Sequence, residues 1–182
     1  MFAIEKQIFT LENDFLFRSI EVSENGLRTL SFINKTSGRD YLTLAGAEFN
    51  FELNGEKISS YTEKAEFHEV DGNVTESSCL LKFLGMERRN LADSIEELCI
   101  FFTINGLHLT VHYQVPHGVP GMRKFLTFQN KSSEIMRLDR IVWDHTVLCP
   151  GQKFSECEFF YGQEDFPASL CQFYNGTEDI LR

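Results

Sequence analysis

The feature that most constrains the fold is a long alternation of apolar and polar residues, centred on one Asn-Gly pair, at residues 98–115. Every second residue on either side of the pair is apolar: Leu98, Ile100, Phe102, Ile104, Leu107, Leu109, Val111, Tyr113 and Val115. Alternate side chains share one face of a β-strand, and Asn105-Gly106 suits the positive φ angles of a two-residue turn. The segment is therefore predicted to be an antiparallel β-hairpin with one buried face.

Shorter runs of the same kind, separated by turn residues, extend this pattern along the chain. Strands are predicted near residues 9–11, 16–22, 27–32, 49–53, 122–128 and 136–142, the last of which closes at 147–150, and residues 80–84 form a short apolar run. Aromatic residues make up 13% of the chain, and aromatic side chains favour strands over helices. Regularly spaced strands joined by turns predict an all-β fold, an antiparallel β-sandwich, with residues 1–182 as a single domain.

Two local expectations depend on the spacing of apolar residues. Residues 86–97 are predicted to be a loop that leads into the hairpin, because too few apolar positions match helical spacing. Near the end of the 136–142 strand, Leu138 and Val142 are expected on one face and Trp143 on the other.

Length and charge exclude several functional classes. The 182 residues (21.0 kDa) suffice for one domain but not for a complete (β/α)-barrel enzyme, which takes about 250 residues. The net charge of -10 predicts no nucleic-acid partner, since such proteins carry basic patches. No apolar run approaches the roughly 20 residues of a membrane span, so no membrane partner is expected either.

The sequence carries no catalytic or metal-binding motif. GxSxG, SxxK, HExxH, GxGxxG and P-loop patterns are absent, so no catalytic residue, metal or cofactor is assigned. The 5 cysteines include no CxxC pair and are expected to be free, mostly buried thiols. His108 and His112 lie about 13 Å apart on one strand face, too far to share a metal by themselves, and are expected to face solvent. Glu96-Glu97 is expected to be solvated charge.

One aromatic cluster has the composition of a sugar-binding surface. Trp143 precedes Asp144 and His145, and a tryptophan ring can stack on a sugar while polar neighbours bond to its hydroxyls. The alternative is that a second layer of the protein covers the ring. Arg123 is expected either to contact the ligand or to be a buried, acid-paired arginine that fixes a loop. These four residues are the candidate carbohydrate-binding set.

The N-terminus gives no targeting signal. Residues 1–6, MFAIEK, lack the basic start and apolar segment of a secretory leader. The protein is expected in the cytoplasm if the chain is complete, and in the periplasm or outside the cell if a leader was removed. The sequence leaves these two compartments open.

Two stretches carry a family resemblance. The first contains FTLEN at residues 9–13, NGLRTL at 25–30 and NKTSG at 34–38. The second contains LHLTVHY at 107–113, GVPGMRK at 118–124, FQN at 128–130 and LDRI at 138–141. Together they resemble the N-terminal β-supersandwich domain of glycoside hydrolase family 36-type α-galactosidases and related gut-bacterial proteins, over about residues 9–140.

The resemblance implies a galactose mutarotase-like fold and a non-catalytic role. In that family the catalytic aspartates lie on a separate barrel that follows the sandwich. The chain is then an accessory domain, a fragment of a larger carbohydrate-active enzyme, which packs on a catalytic barrel and meets galactoside-type carbohydrate. The alternatives are a free-standing carbohydrate-binding module, a mutarotase-like sugar epimerase, and a structural domain whose apolar patch forms a homo-oligomer. Whether the isolated chain is an enzyme stays open.

Overall fold

The computed structural model describes residues 5–62, 80–91 and 94–144, together with the backbone of three short strands farther along the chain. The chain divides into two compact units, Met1–Leu148 and Cys149–Arg182. In the second unit, the described residues form one antiparallel ladder between Glu158–Phe160 and Phe173–Asn175. The single-domain expectation for residues 1–182 stays a prediction. None of the described residues belongs to a helix that is long and apolar enough to cross a membrane.

The first unit is built from antiparallel sheets. The first sheet contains, in order, β1 (Gln7–Glu12), β2 (Leu16–Ser23), β3 (Gly26–Asn34) and β4 (Arg39–Asp40). A two-stranded sheet pairs β5 (Leu42–Leu44) with β13 (Val147–Leu148). A three-stranded sheet places β6 (Asn50–Leu53) between β7 (Glu56–Ser59) and β12 (Leu138–Val142). The other four-stranded sheet, which we call the second sheet, contains in chain order β8 (Lys82–Leu91), β9 (Ile95–Ile104), β10 (Leu107–Pro116) and β11 (Arg123–Asn130).

The predicted hairpin is present as β9 and β10, which pair along their whole lengths. Its turn residues Asn105 and Gly106 have φ angles of 49° and 83°. Two positive φ angles define a type I′ turn, whose twist matches that of the flanking strands. A Cβ at Gly106 would also lie 3.0 Å from the Cβ of Ser132, so both the backbone angle and the space favour glycine.

The core lies between the sheets of the first unit, and the hairpin contributes its largest share. The buried face of β9 and β10 carries the residues that the alternation predicted: Leu98, Ile100, Phe102, Ile104, Leu107, Leu109, Val111, Tyr113 and Val115. The other sheets contribute Leu11, Ile20, Val22, Leu27, Phe51, Leu53 and Ile58. Burying each large apolar side chain stabilises the fold by about 1.5–3 kcal/mol. The predicted all-β antiparallel sandwich is confirmed.

The stretch predicted to be a loop, residues 86–97, is mostly strand, and that prediction was wrong. β8 continues to Leu91 and pairs with β9, which begins at Ile95. Most residues of β8 are exposed, and β8 lies at the edge of the described sheet. Phe83 packs against the core, but because most of the strand is exposed, burial does not require its apolar residues to alternate, and the pattern gave no strand signal.

A bulge in β12 reverses the expected faces at the end of that strand. Leu138 lies opposite Leu53 and is partly buried, but the register shifts after Asp139. Arg140 adopts a φ angle of 50°, and Val142 beyond it is exposed. The expectation that Leu138 and Val142 share a face was therefore wrong, because one extra residue moves the following side chains to the other side.

Candidate functional site

The candidate sugar-binding residues begin where β12 ends. Trp143 follows the strand and is 53% exposed, so the described residues leave about half of its side chain uncovered. The next residue, Asp144, is half-buried, and its Oδ1 lies 3.5 Å from Lys124 Nζ. His145 lies outside the described residues. The structure thus places an open aromatic ring next in sequence to a carboxylate that contacts a buried lysine.

Arg123 and Lys124 point to opposite faces of β11. Lys124 is in register with Tyr113 on the core face, and Arg123 is in register with Gln114 on the outer face. Arg123 is exposed, and its guanidinium carbon lies 5.0 Å from the centroid of the Phe125 ring. The expected buried cation is therefore Lys124 rather than Arg123, since adjacent strand residues face opposite sides. Arg123 and the contact between Lys124 and Asp144 therefore lie on opposite faces of β11.

Lys124 belongs to a buried ionic cluster, which we define as Arg18, Thr29, Glu48, Tyr113 and Lys124. The Glu48 carboxylate accepts from Arg18 Nη2 at 3.0 and 2.8 Å and from the Tyr113 hydroxyl at 2.9 Å. Lys124 Nζ lies 2.7 Å from Glu48 Oε2, and the Thr29 hydroxyl also donates to this carboxylate. Because these groups come from β2, β3, β10, β11 and the segment before β6, the cluster connects the first sheet to the second.

Neighbouring cations keep Glu48 ionised. Burial by itself raises the pKa of this carboxyl, but the charges of Arg18 and Lys124 outweigh burial, so the pKa lies below its ordinary value of 4.5. Burial and the Glu48 charge hold the pKa of Tyr113 well above its usual range, so its hydroxyl stays protonated. Asp144 adds a second negative charge at the Lys124 end of the cluster.

Sequence reasoning missed this cluster, although one signal was present. Arg18 lies two and four residues before Ile20 and Val22, so strand parity places it on the core face. A buried arginine needs an acidic partner, but no local pattern identifies Glu48 as that partner. Glu48 is 30 residues away in the chain and outside a regular strand.

A second cluster lies on the outer face of the second sheet. We define the outer triad as Glu97 and Cys99 of β9 with His112 of β10. His112 Nδ1 lies 3.2 Å from Glu97 Oε1 and 3.4 Å from Cys99 Sγ. Cys99 Sγ lies 3.5 Å from Glu97 Oε2. One ligand atom from each residue can be chosen so that all three lie within 4.8 Å of one another, the spacing of a candidate metal site.

Polar neighbours fix the orientation of the outer triad. Gln114 Nε2 donates to Glu97 Oε1 at 2.8 Å, and Arg89 Nε donates to Glu97 Oε2 at 2.5 Å. On the other side of the imidazole, His112 Nε2 lies 3.0 Å from Thr127 Oγ1. Both ring nitrogens of the histidine and both oxygens of the carboxylate therefore have defined contacts.

The outer triad combines an ionised acid with a protonated thiol. Burial raises the pKa of Glu97, but the hydrogen bonds from Gln114 and Arg89 outweigh it and lower the pKa to about 2. Burial, followed by the charge of Glu97, raises the pKa of Cys99 to about 11. Cys99 is a free, buried thiol, as expected for the cysteines. The other four cysteines lie outside the described residues.

The cross-strand register explains why the sequence pattern did not reveal the outer triad. In the sequence, His112 was compared with His108, which lies on the same strand. The residue opposite His112 on the neighbouring strand is Cys99. Counting outward from the Asn-Gly turn would have placed these two residues opposite each other. Glu97 was expected to be solvated, but its side chain is only 2% exposed, so that expectation was wrong.

Comparison with known proteins leaves the family open. The chain matches no family model, no curated protein and no solved structure. The resemblance to family 36-type α-galactosidases, and with it the supersandwich assignment, stays a prediction. The geometry of the described residues therefore has to carry the functional interpretation.

Proposed function

We propose that this chain is a non-catalytic accessory β-sandwich domain of a carbohydrate-active enzyme, an α-galactosidase-like glycoside hydrolase whose catalytic barrel lies outside the chain. In this proposal Trp143 and Asp144, the sugar-facing pair, contact a galactoside-type carbohydrate. The observation that carries the proposal is an exposed tryptophan followed by a carboxylate that contacts the buried Lys124.

The sugar-facing pair has the chemistry of carbohydrate recognition. The C–H face of a pyranose stacks on an indole ring, and a carboxylate accepts hydrogen bonds from the sugar hydroxyls. Trp143 is open to solvent, and 29% of the Asp144 side chain is exposed, so a ligand can reach both residues. Galactosides offer both an apolar face and ring hydroxyls.

The buried ionic cluster supports this surface by fixing Lys124. The Lys124 ammonium donates to the Glu48 backbone oxygen at 2.6 Å and lies 2.7 Å from its carboxylate. Asp144 therefore contacts a cation that is itself immobile. An acceptor that is held in place before binding loses less conformational entropy when the ligand arrives.

The end of β12 supports a contact with a second domain. Ile141 and Val142 are 45% and 39% exposed, and both immediately precede Trp143. Exposed apolar surface with polar residues around it is typical of a face that another domain or a ligand covers. We assign Ile141 and Val142 to the contact with the catalytic barrel, and Trp143 to the sugar bound beside that contact.

The single tryptophan allows a direct test of the sugar-facing pair. The purified chain is titrated with galactose, methyl α-galactoside and an α-galactosyl oligosaccharide while Trp143 emission is followed. We expect a saturable change in emission with a dissociation constant near 1 mM, about -4 kcal/mol. No change up to tens of millimolar would contradict the assignment of Trp143.

A pair of matched variants separates the role of Asp144 from a general loss of surface charge. Asp144→Asn is expected to weaken sugar binding about tenfold, because a hydrogen bond to a charged acceptor contributes about 1.5–3 kcal/mol. Asp139→Asn removes a carboxylate of β12 that is bound to Arg137, and is expected to leave binding unchanged. Equal effects of both variants would argue against a specific role for Asp144.

Activity assays test the non-catalytic part of the proposal. The purified chain is expected neither to hydrolyse an aryl α-galactoside nor to accelerate the mutarotation of fresh α-galactose measured by polarimetry. Hydrolysis that one carboxylate substitution abolishes would overturn the accessory role. Accelerated mutarotation would instead favour a sugar epimerase.

A further inference from the structure

We propose that the outer triad, Glu97, Cys99 and His112, is a binding site for Zn²⁺. Its ligand atoms are separated by 3.2, 3.4 and 3.5 Å. A tetrahedral zinc ion, with a Zn–S bond of about 2.3 Å and Zn–N and Zn–O bonds of about 2.0–2.1 Å, places its ligands about 3.3–3.6 Å apart. The two carboxylate distances use different oxygens, and with one atom from each residue the three ligand atoms lie within 4.8 Å of one another, so the ion has to draw the Cys99 sulfur and one Glu97 oxygen closer together.

The three ligand types select this class of ion. A thiolate, an imidazole and a carboxylate suit Zn²⁺, whereas Mg²⁺ and Ca²⁺ bind oxygen ligands. Three protein ligands also leave one tetrahedral position open for water or for an atom of a further ligand. The outer triad is therefore the arrangement of an open zinc site rather than of a closed structural one.

His112 is oriented as a metal ligand requires. Its ring stacks on Phe125 with a centroid distance of 4.3 Å and an interplanar angle of 5°. Its Nε2 lies 3.0 Å from Thr127 Oγ1, and this oxygen can accept a hydrogen bond from Nε2–H. The lone pair of Nδ1 then points at Cys99 and Glu97. A metal-binding histidine usually donates its second ring N–H to an oxygen in this way.

Arg89 is the main opposing feature, and its geometry leaves room for the ion. Its Nη2 lies 3.3 Å from Cys99 Sγ, and its Nε binds Glu97 Oε2, so Glu97 Oε1, which accepts from Gln114 Nε2, keeps its second lone pair for the ion. The Arg89 side chain is 45% exposed and can turn toward solvent. Glu87 lies opposite Cys99 in the ladder and adds a further negative charge. With a thiolate at Cys99, the group carries net negative charge, which a divalent cation neutralises.

The zinc site stands apart from the proposed sugar surface. Its residues lie on the outer face of β9 and β10, whereas Lys124 and its contact with Asp144 lie on the core side of β11. Central strands hold ligands more precisely than loops do, because their backbone is fixed by pairing on both sides. Failure of either proposal therefore leaves the other intact.

The test uses Co²⁺ as a spectroscopic substitute for Zn²⁺ in the metal-free full chain. A tetrahedral site with one thiolate is expected to give a thiolate-to-Co²⁺ charge-transfer band together with visible d–d bands. One equivalent of Zn²⁺ is expected to remove both. A chain that gives no charge-transfer band at a saturating Co²⁺ concentration would overturn the proposal.

Variants identify the thiol and the imidazole. Cys99→Ala is expected to abolish the charge-transfer band, and His112→Gln to weaken Zn²⁺ binding at least tenfold. His108→Gln changes the other histidine on the same face of β10 and is expected to bind Zn²⁺ as the native chain does. A band that persists in Cys99→Ala would place the metal on another cysteine and overturn the proposal. Far-UV circular dichroism checks that each variant folds, and Thr127→Val, which keeps all three ligands, provides a milder second variant.

Discussion

Each face of the second sheet contacts a buried carboxylate, Glu48 on the core face and Glu97 on the outer face. The two carboxylates differ in how completely neighbouring cations neutralise their charge. On the core face, Glu48 meets two buried cations, Arg18 and Lys124. On the outer face, the cation closest to Glu97 is Arg89, which is partly exposed. The remaining contacts of Glu97 in the outer triad are to a thiol, which can exchange its proton for a metal ion, and to an imidazole, which can offer the ion a nitrogen lone pair.

This difference separates a structural role from a binding role. A buried ion pair whose members are fully satisfied stabilises one arrangement of the sheets, and removing one partner leaves the others uncompensated. A carboxylate beside an exposed arginine and a protonated thiol can change partners at lower cost. We therefore expect substitutions on the core face to change the free energy of unfolding, and substitutions on the outer face to change ligand binding.

The largest effect is expected from Glu48→Gln. This variant leaves Arg18 and Lys124 buried without a counter-charge, which should lower the free energy of unfolding by about 3–5 kcal/mol. Urea unfolding followed by circular dichroism measures this change. Glu97→Gln is the matched substitution on the outer face and should cost only about 1–2 kcal/mol, because Arg89 can return to solvent. Equal losses for the two variants would remove the distinction between the faces.

The pH dependence of stability should report Glu48 together with Glu97, because the pKa of each carboxyl is lowered in the folded state. The pKa of Glu48 is lowered in the folded state, so its contribution is fully present above the ordinary value of 4.5 and is lost as pH falls below it. The thermal midpoint of the native chain should therefore drop between about pH 5 and pH 3. Glu48→Gln should show a shallower drop, and an unchanged slope would contradict this assignment.

A smaller effect is expected when the outer-face histidine loses its hydrogen-bond partner. Thr127→Val removes the oxygen next to His112 Nε2 and should weaken Zn²⁺ binding about tenfold. Because the Thr127–His112 contact is exposed, the free energy of unfolding should change by less than about 1 kcal/mol. Isothermal titration with Zn²⁺ and urea unfolding measure the two quantities. A large loss of stability with unchanged zinc affinity would reverse the roles assigned to this face.

The smallest effect is expected from Arg123→Gln. Arg123 lies on the outer face of β11, across the sheet from the contact between Lys124 and Asp144. The change in Trp143 emission on titration with galactosides should therefore match that of the native chain. A clear weakening of sugar binding would place Arg123 in the sugar site after all.

The sequence predicted those parts of the fold in which burial and strand pairing coincide. β9 and β10 have one buried face and an Asn-Gly turn, so alternation identified both strands and their register. β8 pairs with β9 along its length, but it lies at the edge of the described sheet and most of its residues are exposed. The sequence pattern therefore did not identify it as a strand. The alternation of faces also mispredicted the residues after Arg140 in β12. A bulge there adds one residue, and no distinctive local sequence pattern marks it.

The candidate sites were less predictable than the fold, because their members meet through tertiary contacts. Glu48 reaches Tyr113 across 65 positions of the chain, and no local motif encodes that contact. The outer triad was closer to prediction, since the hairpin register alone places His112 opposite Cys99. Trp143 and Asp144 were selected as a candidate pair because they are adjacent in the sequence, and their binding of a sugar stays a prediction.

Urea unfolding in the presence and absence of Zn²⁺ tests most directly whether Glu97 serves a ligand rather than the fold. At a Zn²⁺ concentration of 100 times the dissociation constant, the native chain should gain about 2.7 kcal/mol of stability. Glu97→Gln keeps every cysteine, so zinc binding by the unfolded chain is matched, and it should gain much less. An equal gain in both proteins, or no gain in the native chain, would contradict the binding role of the outer face.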